Sequence, residues 1–258
     1  MPAGANQPEN PNRPVMELAE YDRMDAVEDR MWWYRAAHAN MLHALLGSSP
    51  PPGSPLLDAG CGTGGLLRRL ATAAPDRLRL GVEIFEPAAA TARGKSGCPV
   101  TVASANCLPF RDAAFGTIFS VDVICHRNVD PAAALSEARR CLMPGGSLIV
   151  NVPAYQWMAS FHDREVHNAR RFDRAGLARL LAGAGFTRFR TTYWNSILFP
   201  LMVLHRKLPA RDPSRSDVAE FSPLANRVFS GILAAERAGL RFGLRYPFGG
   251  SLLAVATK

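Results

Sequence analysis

Four glycines and two carboxylates stand at spacings that chemistry can use. Gly60, Gly62, Gly64 and Gly65 follow the short apolar run Leu56-Leu57-Asp58-Ala59. They satisfy GxGxxG over Gly60, Gly62 and Gly65, and GxGxG over Gly60, Gly62 and Gly64. In either form the backbone leaves a strand, turns sharply and approaches an adenosine-bearing ligand more closely than a Cβ would allow. Asp58, two residues ahead of the first glycine, separates the readings. A carboxylate at that strand end attracts an ammonium group and does little for a pyrophosphate. Glu83, followed by Ile84, closes the next apolar run about 20 residues on, where an acidic side chain can accept from two ribose hydroxyls. Alone, Asp58 is equally a turn carboxylate or helix cap, and Glu83 an ordinary strand end. Their conjunction with the glycines describes a pocket for a positively charged nucleoside.

S-adenosylmethionine has both an amino-acid ammonium and a sulfonium, so it is the cofactor expected. Transfer of its methyl group is an in-line displacement, for which a protein aligns the nucleophile and takes a proton from a hydroxyl or ammonium. Groups able to do so fall in two later stretches. Asp122 and His126 lie in the first; Tyr155, Trp157, His162, Asp163 and His167 lie in the second. One reading makes a histidine the base, oriented by Asp163, because histidine titrates near neutral pH. A second has Arg164, Arg170 and Arg171 bind an anionic substrate, and a third makes the whole cluster a structural network. His126, His162, Asp163 and His167 have no fixed metal-ligand spacing, so no metal is expected. Cys125 reads as a core thiol.

These residues need a scaffold, and the hydrophobic pattern supplies one. Residues 15–46 read as an N-terminal helical cap, with Trp32-Trp33-Tyr34-Arg35 an aromatic staple onto the core or a lid over a ligand. A Pro-rich hinge over 48–54 follows. Strands over 55–60, 78–84, 100–103, 116–123 and 147–152 alternate with helices over 66–74, 87–94 and 131–142. That alternation implies parallel βαβ units wound into a sheet covered on both faces. Ligands of such sheets sit at the carboxyl ends of the strands, where strand order reverses. Beyond residue 153 the expectation is a loop to residue 171, a helix over 174–184, a strand over 186–193, two helices within 196–245 and a last strand over 251–257.

The stretches LLDAGCGTGGLLRRLA, GVEIFEPAAATAR, VASANCLPFRDAAFGTIFSVDVICH, EARRCLMPGGSLIVNVPA and LARLLAGAGFTRFR resemble the class I S-adenosylmethionine-dependent methyltransferases, of the small-molecule, methyltransferase-11-like type. The resemblance covers about residues 30–195 and the last strand. It implies a Rossmann-like, doubly wound α/β sheet of seven strands, the seventh antiparallel and inserted beside the fifth. It implies cofactor contacts at Asp58, Gly60, Gly62, Gly64, Glu83, Ile84 and Asp122, and from the cap at Tyr34 and Arg35. Family members often carry an acidic residue for the adenine amino group where this chain has Ser104-Ala105-Asn106, whose Ser104 or Asn106 can hydrogen-bond the adenine edge instead. Many also have Asp where this chain has Gly116.

Composition sets the limits. The chain has 258 residues, 48% apolar and 20% charged, an ordinary globular mixture for one elaborated domain over 15–258 behind a disordered tail over 1–14. The odd set Cys61, Cys98, Cys107, Cys125 and Cys141 contains no CxxC pair and suits a reducing, cytoplasmic setting. Residues 196–245 combine apolar runs with His205-Arg206-Lys207, Arg227, Arg237 and Arg241. They read as a cover for the sheet or a dimer interface, or as a site for an apolar acceptor or an anionic membrane surface. The acceptor expected is a small molecule or lipid-linked metabolite methylated on oxygen. A net charge of +8 raises a nucleic-acid methyltransferase as a rival. Against it, there is no appended RNA-binding module, and the fourth strand ends in Ser120-Val121-Asp122 rather than an Asn-Pro-Pro-Tyr-type tetrad. Rivals of other classes are an NAD-dependent oxidoreductase, which Asp58 opposes, and a non-catalytic scaffold, which the glycines and Glu83 oppose.

Overall fold

The computed structural model describes residues 18–159, 163, 168–207 and 221–258. The tail over 1–14, the polar segment over 209–217, His162 and His167 lie outside them.

The sheet forms where apolar runs can be covered on both sides. Strands β1 (Leu56–Ala59), β2 (Arg79–Glu83), β3 (Val100–Val102), β4 (Phe115–Val121) and β5 (Leu142–Pro153) are parallel. β6 (Arg188–Trp194) and β7 (Ser251–Thr257) complete seven strands in the order β3-β2-β1-β4-β5-β7-β6. β7 runs antiparallel between β5 and β6, where it was expected. β1 is buried throughout, and β4 and β7 along all but their last residue, as near-continuous hydrophobic strands require. The edge strands are more exposed, β3 at Thr101 and Val102 and β6 from Arg188 to Thr192.

Helices α1 (Leu18–Val27), α2 (Trp32–Leu46), α3 (Gly65–Ala73), α4 (Glu86–Ser96), α5 (Pro131–Cys141), α6 (Arg174–Gly183), α7 (Phe199–Lys207) and α8 (Pro223–Arg241) surround the sheet. One face packs Met41, Leu66 and Leu233 against Phe119, Ile149 and Val255. The other packs Leu135, Leu177 and Leu181 against Ile118, Leu148 and Ala254. Among the described residues no helix is long and apolar enough to cross a membrane.

Two elements depart from the sequence reading. The cap is two helices rather than one. Glu28 turns inward to accept from Thr63 Oγ1 at 2.7 Å and to pair with Lys95, and Met31 is extended, so the first helix stops before the second starts. β5 also begins earlier than residue 147. Its pairing with β4 jumps from Phe115–Leu142 to Thr117–Ser147, so a bulge absorbs the Pro144-Gly145-Gly146 turn.

Strand order reverses between β1 and β4. The carboxyl ends of those two strands, Asp58-Ala59-Gly60 and Val121-Asp122, therefore flank a crevice that helices leave open.

Candidate active site

A cavity of about 600 Å³ occupies that crevice, within the range of sites for small ligands. Its floor is the glycine loop. Gly60 has φ +87°, and a Cβ there would come within 2.4 Å of Val123 Cγ2. Gly62 has φ +53°, with Met24 Cε 2.9 Å from a would-be Cβ. Gly64 does different work. It has φ +90°, its Cβ would meet Ala92 of α4 at 2.8 Å, and it lies off the cavity wall, so it serves helix packing.

Glu83 fastens this loop. Its Oε2 accepts from the Gly62 amide at 3.0 Å, and its Oε1 accepts from the Phe85 amide at 3.1 Å and from the Tyr21 hydroxyl at 3.2 Å. Burial pushes its carboxyl up, and the amide bonds pull it down. Asp58 is 2% exposed, and its Oδ1 is buried with no hydrogen-bond partner among the described residues. Burial, reinforced by the charges of Glu83 and Glu28, pushes its carboxyl up to about 8. A buried carboxyl left unpaired in a cavity wall is stabilised by a cation. S-adenosylmethionine fits these residues: Asp58 for its ammonium, Glu83 for its ribose hydroxyls, and Ile84, Ser104 and Ala105 for the surroundings of its adenine.

The cap closes the cavity from above. Tyr34 lines it, with its phenol pushed well up by burial. Arg35, one residue on, is exposed and faces a separate surface hollow with Asn226 and Arg227. His38, marked in the sequence only by its place in an apolar stripe, also lines the cavity. Arg69 Nε–H donates to its Nδ1 at 3.1 Å, which leaves the ring proton on Nε2. Burial and the neighbouring Arg69 lower its pKa to about 3, so it stays neutral. Asn106 also stands off the wall. It donates to the Asn128 carbonyl at 3.2 Å and accepts from the Asp130 amide at 3.0 Å, tying two loops together.

Beyond the neighbouring strand end of β4 the sheet gathers the polar groups expected to do chemistry. An isolated bridge between His126 and Asn168 brings the loop after β4 against the segment after β5. Asp122, His126, Asp163 and Arg171 consequently share the cavity wall. Asp163 and Arg171 form a buried two-pronged ion pair with contacts from 2.8 to 3.2 Å. Asp122 has φ +53°, an uncommon conformation for a residue with a side chain. Burial pushes its carboxyl up to about 7, against the lowering effect of Asn151 and Arg171. Beyond it the wall turns apolar, through Met31, Trp32, Trp33, Leu198, Leu201, Met202, Phe221 and Phe229.

Comparison with known proteins agrees with this geometry. Residues 57–150 match a methyltransferase domain family. "Probable tRNA methyltransferase 9B" of Bos taurus is 37% identical over 107 residues, covering 41% of this chain and 22% of that protein. "24-methylenesterol C-methyltransferase 2" of Oryza sativa subsp. japonica is 33% identical over 118 residues, covering 42% and 30%. The chain spans less than half the length of the curated relatives it matches. A solved structure from Thermotoga maritima, described as a SAM-dependent methyltransferase and possible histamine N-methyltransferase, aligns with a TM-score of 0.56 at 25% identity. That alignment covers 93% of this chain and 96% of the other. Residues 57–150 thus carry a methyltransferase domain over the strands that bear the glycine loop, and along nearly all its length the chain is similar to a solved S-adenosylmethionine-dependent methyltransferase.

Proposed function

We propose that this chain methylates a hydroxyl group on a small apolar or lipid-linked acceptor. The observation that carries the reading is the division of the cavity. Its cofactor end is polar and built on buried carboxylates; its far end is walled by aromatic and aliphatic side chains from α2, α7 and α8. An apolar acceptor gains by leaving water there, whereas a phosphate-rich chain does not. Trp32 packs in this wall edge-on against the rings of Phe221 and Phe229, which also touch each other, and its Nε1 is buried with no partner among the described residues. That lone donor suits an oxygen on an otherwise greasy molecule. Proton removal falls to the Asp122, His126, Asp163 group, with His162 and His167 close in sequence.

When bound, S-adenosylmethionine supplies an electrophilic methyl group. The chain's residues hold the ammonium at Asp58 and the ribose at Glu83, exclude water with the cap, and take the hydroxyl proton at the β4–β5 end. A nucleic-acid acceptor is the second reading, favoured by the net charge of +8 and by the tRNA methyltransferase relatives. Screening hydroxylated apolar compounds for S-adenosylhomocysteine release tests the first reading. Salt-dependent RNA binding, with methyl transfer to RNA and none to the compounds, would replace it with the second.

A further inference from the structure

The carboxylate at the end of β4 is held by a relay that crosses three strands. Asp122 follows β4, and its amide donates to the Asn151 carbonyl at 2.9 Å. Asn151, fully buried in β5, donates through Nδ2 to Asp122 Oδ1 at 3.0 Å. Trp194, 1% exposed at the end of β6, donates through Nε1 to Asn151 Oδ1 at 2.7 Å. An asparagine amide can be turned either way, but an indole N–H only donates. Trp194 therefore claims the amide oxygen and leaves the amide N–H₂ to face Asp122. Nothing in the backbone of β5 requires a buried asparagine, and an apolar residue would complete the sheet at less cost.

Resting on the methyl-transfer reading, we propose that Asp122 is the proton acceptor for the incoming hydroxyl, and that Asn151 and Trp194 are positioning residues that aim and tune it. Asp163 is less suited because Arg171 holds both of its oxygens. In the step, the acceptor oxygen forms a bond to the methyl carbon as the methyl–sulfur bond breaks. The hydroxyl proton passes to Asp122, and the bond electrons stay on sulfur, giving neutral S-adenosylhomocysteine. The proton then leaves to solvent. The left-handed backbone at Asp122 turns its side chain at the strand end without glycine's freedom, a strain of the kind that gathers at functional sites. The charged and titratable groups around it are Arg171 and Asp163 from the segment after β5, Tyr34 from α2, and Cys125 and His126 from its own loop. Burial places its carboxyl near neutrality, where a base works best.

The relay makes a prediction that the identity of the acceptor does not affect. In protein labelled with carbon-13 at the aspartate carboxyls, one signal absent from Asp122→Asn should titrate near pH 7. Trp194→Phe frees the amide to present its oxygen, and Asn151→Leu removes the donor altogether. Both should move that titration upward by half a pH unit or more. S-adenosylhomocysteine affinity, measured by calorimetry on Trp194→Phe and Asn151→Leu, should stay within threefold and shows that these variants are folded. With the acceptor from the compound screen, Asp122→Asn should lower kcat about 100-fold or more with KM little changed. The acid limb of the wild-type pH profile should shift in Trp194→Phe by the same interval as the carboxyl signal. A carboxyl titrating below pH 5, one unmoved by both relay variants, or an Asp122→Asn enzyme that keeps its rate and acid limb overturns the proposal. Wild-type protein that binds no S-adenosylhomocysteine instead overturns the methyl-transfer reading, and the carboxyl titration then still decides whether the relay exists.

Discussion

The two ends of the cavity are built in opposite ways. The end proposed to hold the cofactor comes chiefly from one stretch of chain, β1 through β2, in which Asp58, Gly60, Gly62 and Glu83 lie within 26 residues of one another. The end proposed to take the acceptor comes from α2, α7, α8 and the loops after β4 and β5, parts drawn from nearly the whole sequence. The first is polar and depends on backbone conformation, on a carboxyl without a partner and on a carboxylate that clamps a loop. The second sets an apolar wall around the Asp122, His126, Asp163 and Arg171 cluster and depends on which side chains happen to meet. A cofactor common to many enzymes can be held by a short local motif. A particular acceptor needs a surface that only packed helices provide.

The largest effect that would break this division is expected at Asp58. Asp58→Ala should weaken S-adenosylhomocysteine binding about 100-fold by calorimetry, the worth of a buried charge-assisted contact. An unchanged affinity would mean that the cofactor end is not where the motif places it. The same residue sets a pH dependence. Carboxyls raised to about 8 at Asp58 and about 7 at Asp122 keep protons in the folded chain that the unfolded chain releases near pH 4. Stability without ligand should therefore be greatest near the lower pH and fall as pH rises toward 8, by at most ~1.4 kcal/mol per unit for each group. Saturating S-adenosylhomocysteine should flatten that decline by pairing Asp58, and thermal unfolding between pH 5 and 8 measures both.

Glu83→Gln should cost about tenfold in affinity, because it keeps a hydrogen-bonding side chain and loses the charge that clamps the Gly62 and Phe85 amides. At the acceptor end Phe229→Ala should separate the two regions. It should leave S-adenosylhomocysteine affinity within twofold, impair turnover of apolar acceptors, and destabilise the half-buried site by about 2 kcal/mol. Loss of cofactor binding in that variant would show that the regions are coupled rather than separate. The smallest effect is expected at Arg35, which is exposed and off the cavity wall. Arg35→Ala should change affinity less than twofold, and a larger loss would mean that the cap rearranges when the cofactor binds.

Much of this was legible before folding. The alternation of apolar runs and helical stretches located six of the seven strands within a few residues, and the switch-point rule located the crevice. Asp58, Gly60, Gly62 and Glu83 could be placed on the cavity wall because the features that select them, strand ends and tight turns, are local. Gly64 shows the limit: its spacing fits the motif, but its contact is with Ala92 of α4, a neighbour that no spacing records. Arg35 and Asn106 show another. Each sits one or two residues from a cavity-lining neighbour, and helix phase in one case and loop anchoring in the other turn it away. The break between α1 and α2 was hidden because the apolar stripe continues through it, while the cause, Glu28 reaching Thr63 and Lys95, is a long-range contact.

The sequence by itself determined most of the strands and the crevice at their carboxyl ends, because those rest on periodicity and on residues near one another in the chain; the place of β7 came from the family resemblance. Only the tertiary structure decided that His38 is a neutral donor held by Arg69, that Asp163 is committed to Arg171, and that Trp194 and Asn151 converge on Asp122. Those facts turn on burial and on partners 8 to 43 residues apart, joined by a sheet whose β7 returns between β5 and β6. Charge, donor direction and desolvation belong to the environment of a side chain, and that environment exists only once the chain has packed.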